Sequence, residues 1–246
     1  MLLPTSRSEK ERSLNKQVMM IYGRAGVGKS TFCSYFEDSL FFATEPGLNH
    51  LEVFKVPINS WETFLEACGV VAAGQHKFKT IIVDTIDNLI IYCSDYICRE
   101  NKIEHPGDMP HGKGWAMVTY EMNRALTKLY GIGYGVILVS HSKQEEIETK
   151  TRKYNRFTID VGGKNQNIIL KAMEIILFMD SEMREGVEIG VIRTKPSLYW
   201  EAKDKSTLLP SEIPYPLNNP KVAFDIVYKA FNKTQTSSET KKGEQK

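Results

Sequence analysis

"QVMMIYGRAGVGKSTFCSYFEDSL", Gln17 to Leu40, holds a short apolar run, a glycine-rich turn and a helical pattern in immediate succession. The run "QVMMIY" (17–22) reads as a strand, and "GRAGVGKS" (Gly23–Ser30) fits G-x-x-x-x-G-K-[ST] at every position. The glycines Gly23, Gly26 and Gly28 allow backbone angles and close approach that a side chain would block. Successive N–H groups can then point at phosphate oxygens from the start of a helix. Gly23, Arg24, Ala25, Gly26, Val27, Gly28, Lys29, Ser30 and Thr31 are therefore the expected nucleotide cradle. Lys29 would neutralise β- and γ-phosphate oxygens, and the Ser30 hydroxyl would ligate Mg²⁺.

Outward from this stretch, further apolar runs lie at 40–44, 79–84, 135–140, 174–179 and 187–194. Helical patterns fall at about 29–39, 60–73, 87–103, 115–130 and 164–173. Strands that are apolar on both faces and alternate with helices predict an α/β fold, a mostly parallel twisted sheet covered by helices. The last two strands, joined by "DSEMREG", predict a C-terminal antiparallel hairpin.

With 246 residues and 41% hydrophobic content the chain can bury one large core. The expected layout is a polar lead-in at 1–16, a core at 17–232 and a disordered tail at 233–246. A net charge of +2 neither demands nor excludes nucleic acid. Cys33, Cys68, Cys93 and Cys98 form no C-x-x-C pair and read as free thiols in a reducing compartment. No run reaches the roughly 18 apolar residues of a membrane span, so a soluble cytoplasmic protein is expected, in the bacterial host cytoplasm if phage-encoded.

"KTIIVDTIDN" ends an apolar run on Asp84, where a carboxylate can hold Mg²⁺ through its water shell; a strand-terminal Asp is also common as a helix cap, and Asp87 could equally cap the next helix. Thr85 follows Asp84, so a general base directly after the strand-terminal acid is missing. Glu45, just past the strand after the P-loop helix, can supply one if that strand neighbours the P-loop strand. This arrangement resembles the RecA-like ATPases, whose catalytic glutamate ends the corresponding strand. The resemblance implies a γ-phosphate sensor at His141, in "VSHSK", at the end of the strand after the Asp84 strand. It also implies paired cations, Arg193 and Lys195 in "VIRTKPSLYW", offered to the γ-phosphate of a neighbouring subunit.

More narrowly, "ATEPG", "HGKGW", "VSHSK" and "RTKPSLYWEAKDKSTLLP", in that order over residues 17–210, resemble phage nucleotide-binding proteins that keep a RecA-like core and act with single-strand-annealing systems. That family implies an ATPase using ATP and Mg²⁺, a homo-oligomeric ring or filament with ATP at subunit interfaces, and single-stranded DNA as ligand. An annealing or single-strand-binding protein is the implied protein partner, with recombination, repair or replication as the setting.

Two segments are expected as DNA loops: "EHPGDMPHGKGW" with Lys113 and Trp115, and "SKQEEIETKTRKYNRFTIDVGG" with Lys150, Arg152, Lys153, Tyr154 and Arg156. The second also reads as a solvated hairpin, since Glu145, Glu146 and Glu148 nearly cancel its cations. A small-molecule kinase, with "TKTRKYNR" as a lid, and an ATP-gated DNA-loading module with negligible turnover are the alternatives. "NKIE" (Asn101–Glu104) is a poor match to the guanine-reading N-K-x-D, because its acid is Glu and it follows a helix.

Overall fold

The computed structural model describes residues 3–8 and 11–239, with side chains described up to residue 232. In chain order the elements are β1 (Val18–Gly23), α1 (Lys29–Ser34), β2 (Ser39–Ala43), β3 (Phe54–Pro57), α2 (Trp61–Ala72), β4 (Thr80–Asp84), α3 (Ile86–Asn101) and α4 (Lys113–Tyr130). They continue as β5 (Gly135–Glu148), β6 (Lys153–Ile159), α5 (Gly163–Ala172), β7 (Ile175–Arg184), β8 (Val187–Arg193), β9 (Lys203–Asp204), β10 (Glu212–Tyr215) and α6 (Lys221–Glu239).

The main sheet runs β10-β8-β7-β1-β5-β4-β2-β3. From β7 to β3 every pairing is parallel, and β8 and β10 add antiparallel strands beyond β7. Alternation along each strand sends side chains to two faces. Met20, Tyr22, Ile81, Val83 and Leu138 pack under α2–α5, whereas Met19, Ile21, Ile82, Ile137 and Leu177 pack under α1 and α6. Both faces are dry, which is why the sequence shows continuous apolar runs here.

Several elements depart from the sequence expectations. The helix expected over 29–39 stops at Ser34, and the chain turns through Asp38 at φ 54° before β2. β3, β9, β10 and α6 carried no recognised signal; β9 has only two residues, and β3 and β10 four each. α6 continues through Glu239, into the stretch expected as a disordered tail; the rest of that tail lies outside the described residues. Within the lead-in, Leu14–Lys16 forms a 3-10 turn with Leu14 buried, and Met1, Leu2, Glu9 and Lys10 lie outside the described residues.

The segment after Ser142 is an ordered hairpin. β5 continues to Glu148 and returns as β6, with the turn closed by Thr149 N–H donating to Arg152 O (2.8 Å). Segment 104–112 is built as two 3-10 turns, Pro106–Asp108 and Pro110–Gly112. Gly114 lets α4 press against them, since a Cβ there would meet Pro106 O at 2.2 Å.

Tyr22, fully buried just before Gly23, binds segments far from it in sequence. Its hydroxyl donates to Glu201 O (2.7 Å) and accepts from Glu201 N–H (3.0 Å). Glu201 N–H is also placed to donate to Phe157 O (3.2 Å), so β1, β6 and the chain after β8 meet at one point. Among the described residues no helix is long and apolar enough to cross a membrane.

Candidate functional site

The turn from β1 to α1 is held open by its glycines. Gly28 has φ 93°, and a Cβ there would lie 2.3 Å from the Tyr215 hydroxyl, which donates to Gly28 O at 2.9 Å. Only glycine satisfies both the backbone angle and this approach. No side chain caps the start of α1. Lys29 is buried, and its ammonium donates to Gly23 O (3.0 Å) and Arg24 O (2.9 Å). Burial pulls its pKa below the ordinary lysine value, opposed by the charges of Asp84, Asp87 and Glu45. A buried cation held only by neutral carbonyls is poised to exchange them for phosphate oxygens.

The register carries the acids to this cation. β4 ends on Asp84, which is 3% exposed and accepts from the Ser30 hydroxyl at 2.6 Å. Burial raises the Asp84 pKa above the usual carboxylate value, and the Ser30 bond works against this. A hydroxyl and a carboxylate are the hard oxygen donors Mg²⁺ prefers, and a divalent ion would relieve the buried charge; the residues fit that ion.

β2 does not neighbour the P-loop strand, as the sequence argument for Glu45 required: β5 and β4 insert between them. Glu45 is nonetheless placed at the site through β4, because Ala43 is in register with Asp84. Thr44 N–H donates to Asp84 O (2.9 Å), and the Thr44 hydroxyl exchanges hydrogen bonds with the backbone of Thr85. Asn88 on α3 donates to Glu45 Oε2 at 3.1 Å, and Glu45 bears electrostatically on both Asp84 and Lys29.

His141 stands opposite Gly23 in the β1–β5 register, in mid-strand instead of at a strand end. Its Nδ1 lies 2.8 Å from Asp87 Oδ2, and its N–H donates to the same oxygen at 2.9 Å. Ser140 Oγ also donates to Asp87. Asp87 is therefore no helix cap: α3 begins after Thr85, and the Asp87 carboxylate orients His141. Sequence reasoning missed the parts played by Asp87 and Asn88, one and two residues into α3, since both depend on which strands lie beside β4.

Arg193 and Lys195 lie on the far side of β1, and their own chain already pairs them. Arg193 binds Glu182 and Glu212 and sits 5.0 Å over the Trp200 ring, with 15% of its side chain exposed. Lys195 Nζ lies 3.0 Å from the buried Asp204 carboxylate. β8 ends at Arg193, though Ile192 and Thr194 are both buried, so the expected alternation holds.

On the β5–β6 hairpin, Lys153 pairs with Glu146 (2.8 Å) and Arg156 with Glu201 (3.0 Å). Tyr154 meets Tyr199 edge-on at 6.2 Å, and Lys150 and Arg152 stand exposed at the turn with no ion pair among the described residues. Lys113 and Trp115 open α4. Trp115 is 45% exposed, with its ring edge-on to His105 at 5.4 Å. They lie beyond the far end of α3, whose span of roughly 20 Å at 1.5 Å per residue separates them from Asp87 and Asn88.

The family model described as AAA domain matches residues 15–206. The SPbeta prophage-derived uncharacterized protein YorG of Bacillus subtilis (strain 168) is 30% identical over 141 residues, which are 55% of this chain and 44% of that protein. The aligned part is thus less than half of that relative. Among solved structures, the KaiC-like protein PH0186 from Pyrococcus horikoshii OT3 is similar with a TM-score of 0.49 at 13% identity, over 84% of this chain and 88% of its own. The flagellar accessory protein FlaH from Methanocaldococcus jannaschii gives 0.45 at 10% identity, over 82% and 86%. The match over residues 15–206 takes in the P-loop, Glu45, Asp84 and His141, and the chain belongs to the AAA domain family of P-loop ATPases.

Proposed function

We propose that the chain hydrolyses ATP with Mg²⁺, using Glu45 to orient the attacking water, and that it does so on single-stranded DNA during phage recombination, repair or replication. The observation that carries the hydrolytic part is Glu45, held by Asn88 at 3.1 Å and two residues beyond Ala43, the register partner of Asp84. A carboxylate so placed can accept a hydrogen bond from water while Lys29 leaves its carbonyls for the β- and γ-phosphates. Bound Mg²⁺ supplies charge neutralisation at those oxygens. The contact of Nδ1 with Asp87 fixes the orientation of the His141 ring, which would then report the phosphate end.

Support for the nucleic-acid part is Lys150 and Arg152, exposed and without an ion pair among the described residues, in the turn that follows the strand bearing His141 and precedes Tyr154, which pairs with Tyr199. The prophage origin of the 30% identical relative supports the phage setting. Assembly into a ring or filament completes the proposal: Arg193 and Lys195 would exchange their own carboxylates for a neighbour's γ-phosphate.

Steady-state hydrolysis with and without single-stranded DNA, beside a filter-binding measurement of ATP affinity, tests the hydrolytic reading in the Glu45→Gln variant. Turnover should fall by about 100-fold or more while ATP affinity stays within about threefold, the usual scale for a general base. Unchanged turnover would remove Glu45 from this role.

A further inference from the structure

The outer edge of β6 is covered by segment 197–201, from the chain after β8. Phe157 N–H donates to Tyr199 O (2.8 Å), Glu201 N–H is placed to donate to Phe157 O (3.2 Å), and Phe157 bridges to Trp200 in parallel sense. β5, β6 and this segment therefore stand side by side. Trp200 stacks on the buried Phe178 (6.3 Å, 27° between rings), which anchors the segment from beneath. Tyr199, the residue before it, is 55% exposed and meets Tyr154 of β6 at 6.2 Å with 80° between the rings. Ile147 of β5 is the register partner of Tyr154 and so shares its face.

Ile147, Tyr154 and Tyr199 thus form an apolar strip across all three segments. An edge-on aromatic pair leaves more ring face open than a stacked one. The strip lies at the turn end of the hairpin, since Tyr154 is the second residue after Arg152. Within the hairpin Glu145 pairs with Lys143 and Glu146 with Lys153, and Glu201 of the covering segment pairs with Arg156. Lys150 and Arg152 then outnumber Glu148, so an open aromatic surface is joined to a positive turn. A polyanion that carries flat apolar groups at regular intervals is complementary to both.

We propose that this strip is a stacking platform for the bases of a single-stranded DNA whose phosphates meet Lys150 and Arg152, and that Tyr199 is a base-binding residue. The inference rests on the proposed DNA reading, and the test separates the two. Fluorescence-anisotropy titrations of the full chain with Mg²⁺–ATP compare oligo-dT with an abasic strand of the same length, which keeps the phosphates and lacks the bases. The native chain should bind oligo-dT at least about tenfold more tightly, the scale of one stacked base. Tyr199→Ala should remove most of that difference and leave the abasic strand and ATP within about twofold. Tyr199→Phe keeps a ring and should keep oligo-dT within about twofold. Stacking releases no counterions, so Tyr199→Ala should leave the salt slope as it was.

Equal affinity of the native chain for the two strands overturns the platform and leaves Lys150 and Arg152 as backbone contacts. Binding of neither overturns the DNA reading as well. If Tyr199→Ala weakens both strands by the same factor, or Tyr199→Phe loses as much as Tyr199→Ala, the Tyr199 ring does not stack on bases.

Discussion

Asp84 is a carboxylate taken out of water with the Ser30 hydroxyl as its hydrogen-bond donor, and its raised pKa has a sign that can be followed. A pKa raised on folding contributes stability that is fully present below the unfolded value and is lost as pH rises through the folded one. The nucleotide-free protein should therefore gain stability on acidification from neutrality toward that unfolded value, as far as Asp84 is concerned. Asp84→Asn, which keeps an acceptor for Ser30, should raise its melting temperature at pH 8 by about 2–4 °C per kcal/mol recovered. The variant should also lose most of the added stability that Mg²⁺–ATP gives the native chain. Thermal melts at pH 5 and pH 8, with and without Mg²⁺–ATP, check both; an unchanged melting temperature at pH 8 would mean the carboxylate is not penalised. Lys29 and Ser30 could be read from sequence because the P-loop spacing defines their chemistry, and Asp84 because it ends an apolar run. The sequence argument for Glu45 rests on an adjacency that does not exist, and the parts of Asp87 and Asn88 were hidden because their partners lie on β5 and just beyond β2.

At the scale of elements, the parallel strands were legible because burial on both faces leaves uninterrupted apolar runs. The β5–β6 hairpin was legible only as the solvated alternative to a DNA loop, without its strand bounds or register. From Lys143 to Glu148 both of its faces carry polar groups and Ile147 alone is apolar, so no period-2 signal fixed strand or register. Its order comes from cross-strand partners such as Gln144 with Phe157 and Ile147 with Tyr154. The ion pairs of Lys153 and Arg156 narrow the DNA expectation to Lys150 and Arg152. Changing these two to Ala should weaken single-stranded DNA binding and lower the salt slope by about 0.7 per cation lost. ATP affinity should stay as it was. Fluorescence-anisotropy titrations across a salt series measure this, and an unaltered slope would leave the hairpin as a solvated edge.

For the whole molecule, β1 separates the acids and His141, toward β5, β4 and β2, from Arg193 and Lys195, toward β7, β8 and β10. In an assembly joining unlike sides, each site would draw on two subunits. Arg193→Ala and Glu45→Gln, each inactive alone, should then recover partial hydrolysis when mixed; absence of recovery would leave Arg193 as a structural clasp. Arg193→Ala also leaves Glu182 and Glu212 with Arg184 as the one cation they share, so Arg193→Lys is the control that keeps a second charge near them. The chain order of β10 and α6 could not be read ahead because their burial depends on an edge, β8, that forms only once the sheet is built. The Tyr22 hydroxyl has a consequence for the slow opening of the native state. Glu201 lies outside the regular strands, yet its amide hydrogen points into that buried hydroxyl. Its exchange with solvent deuterium should be as slow as that of the β1 amides, and at least about tenfold faster in Tyr22→Phe, since a donor so enclosed is released only when its cooperative unit opens.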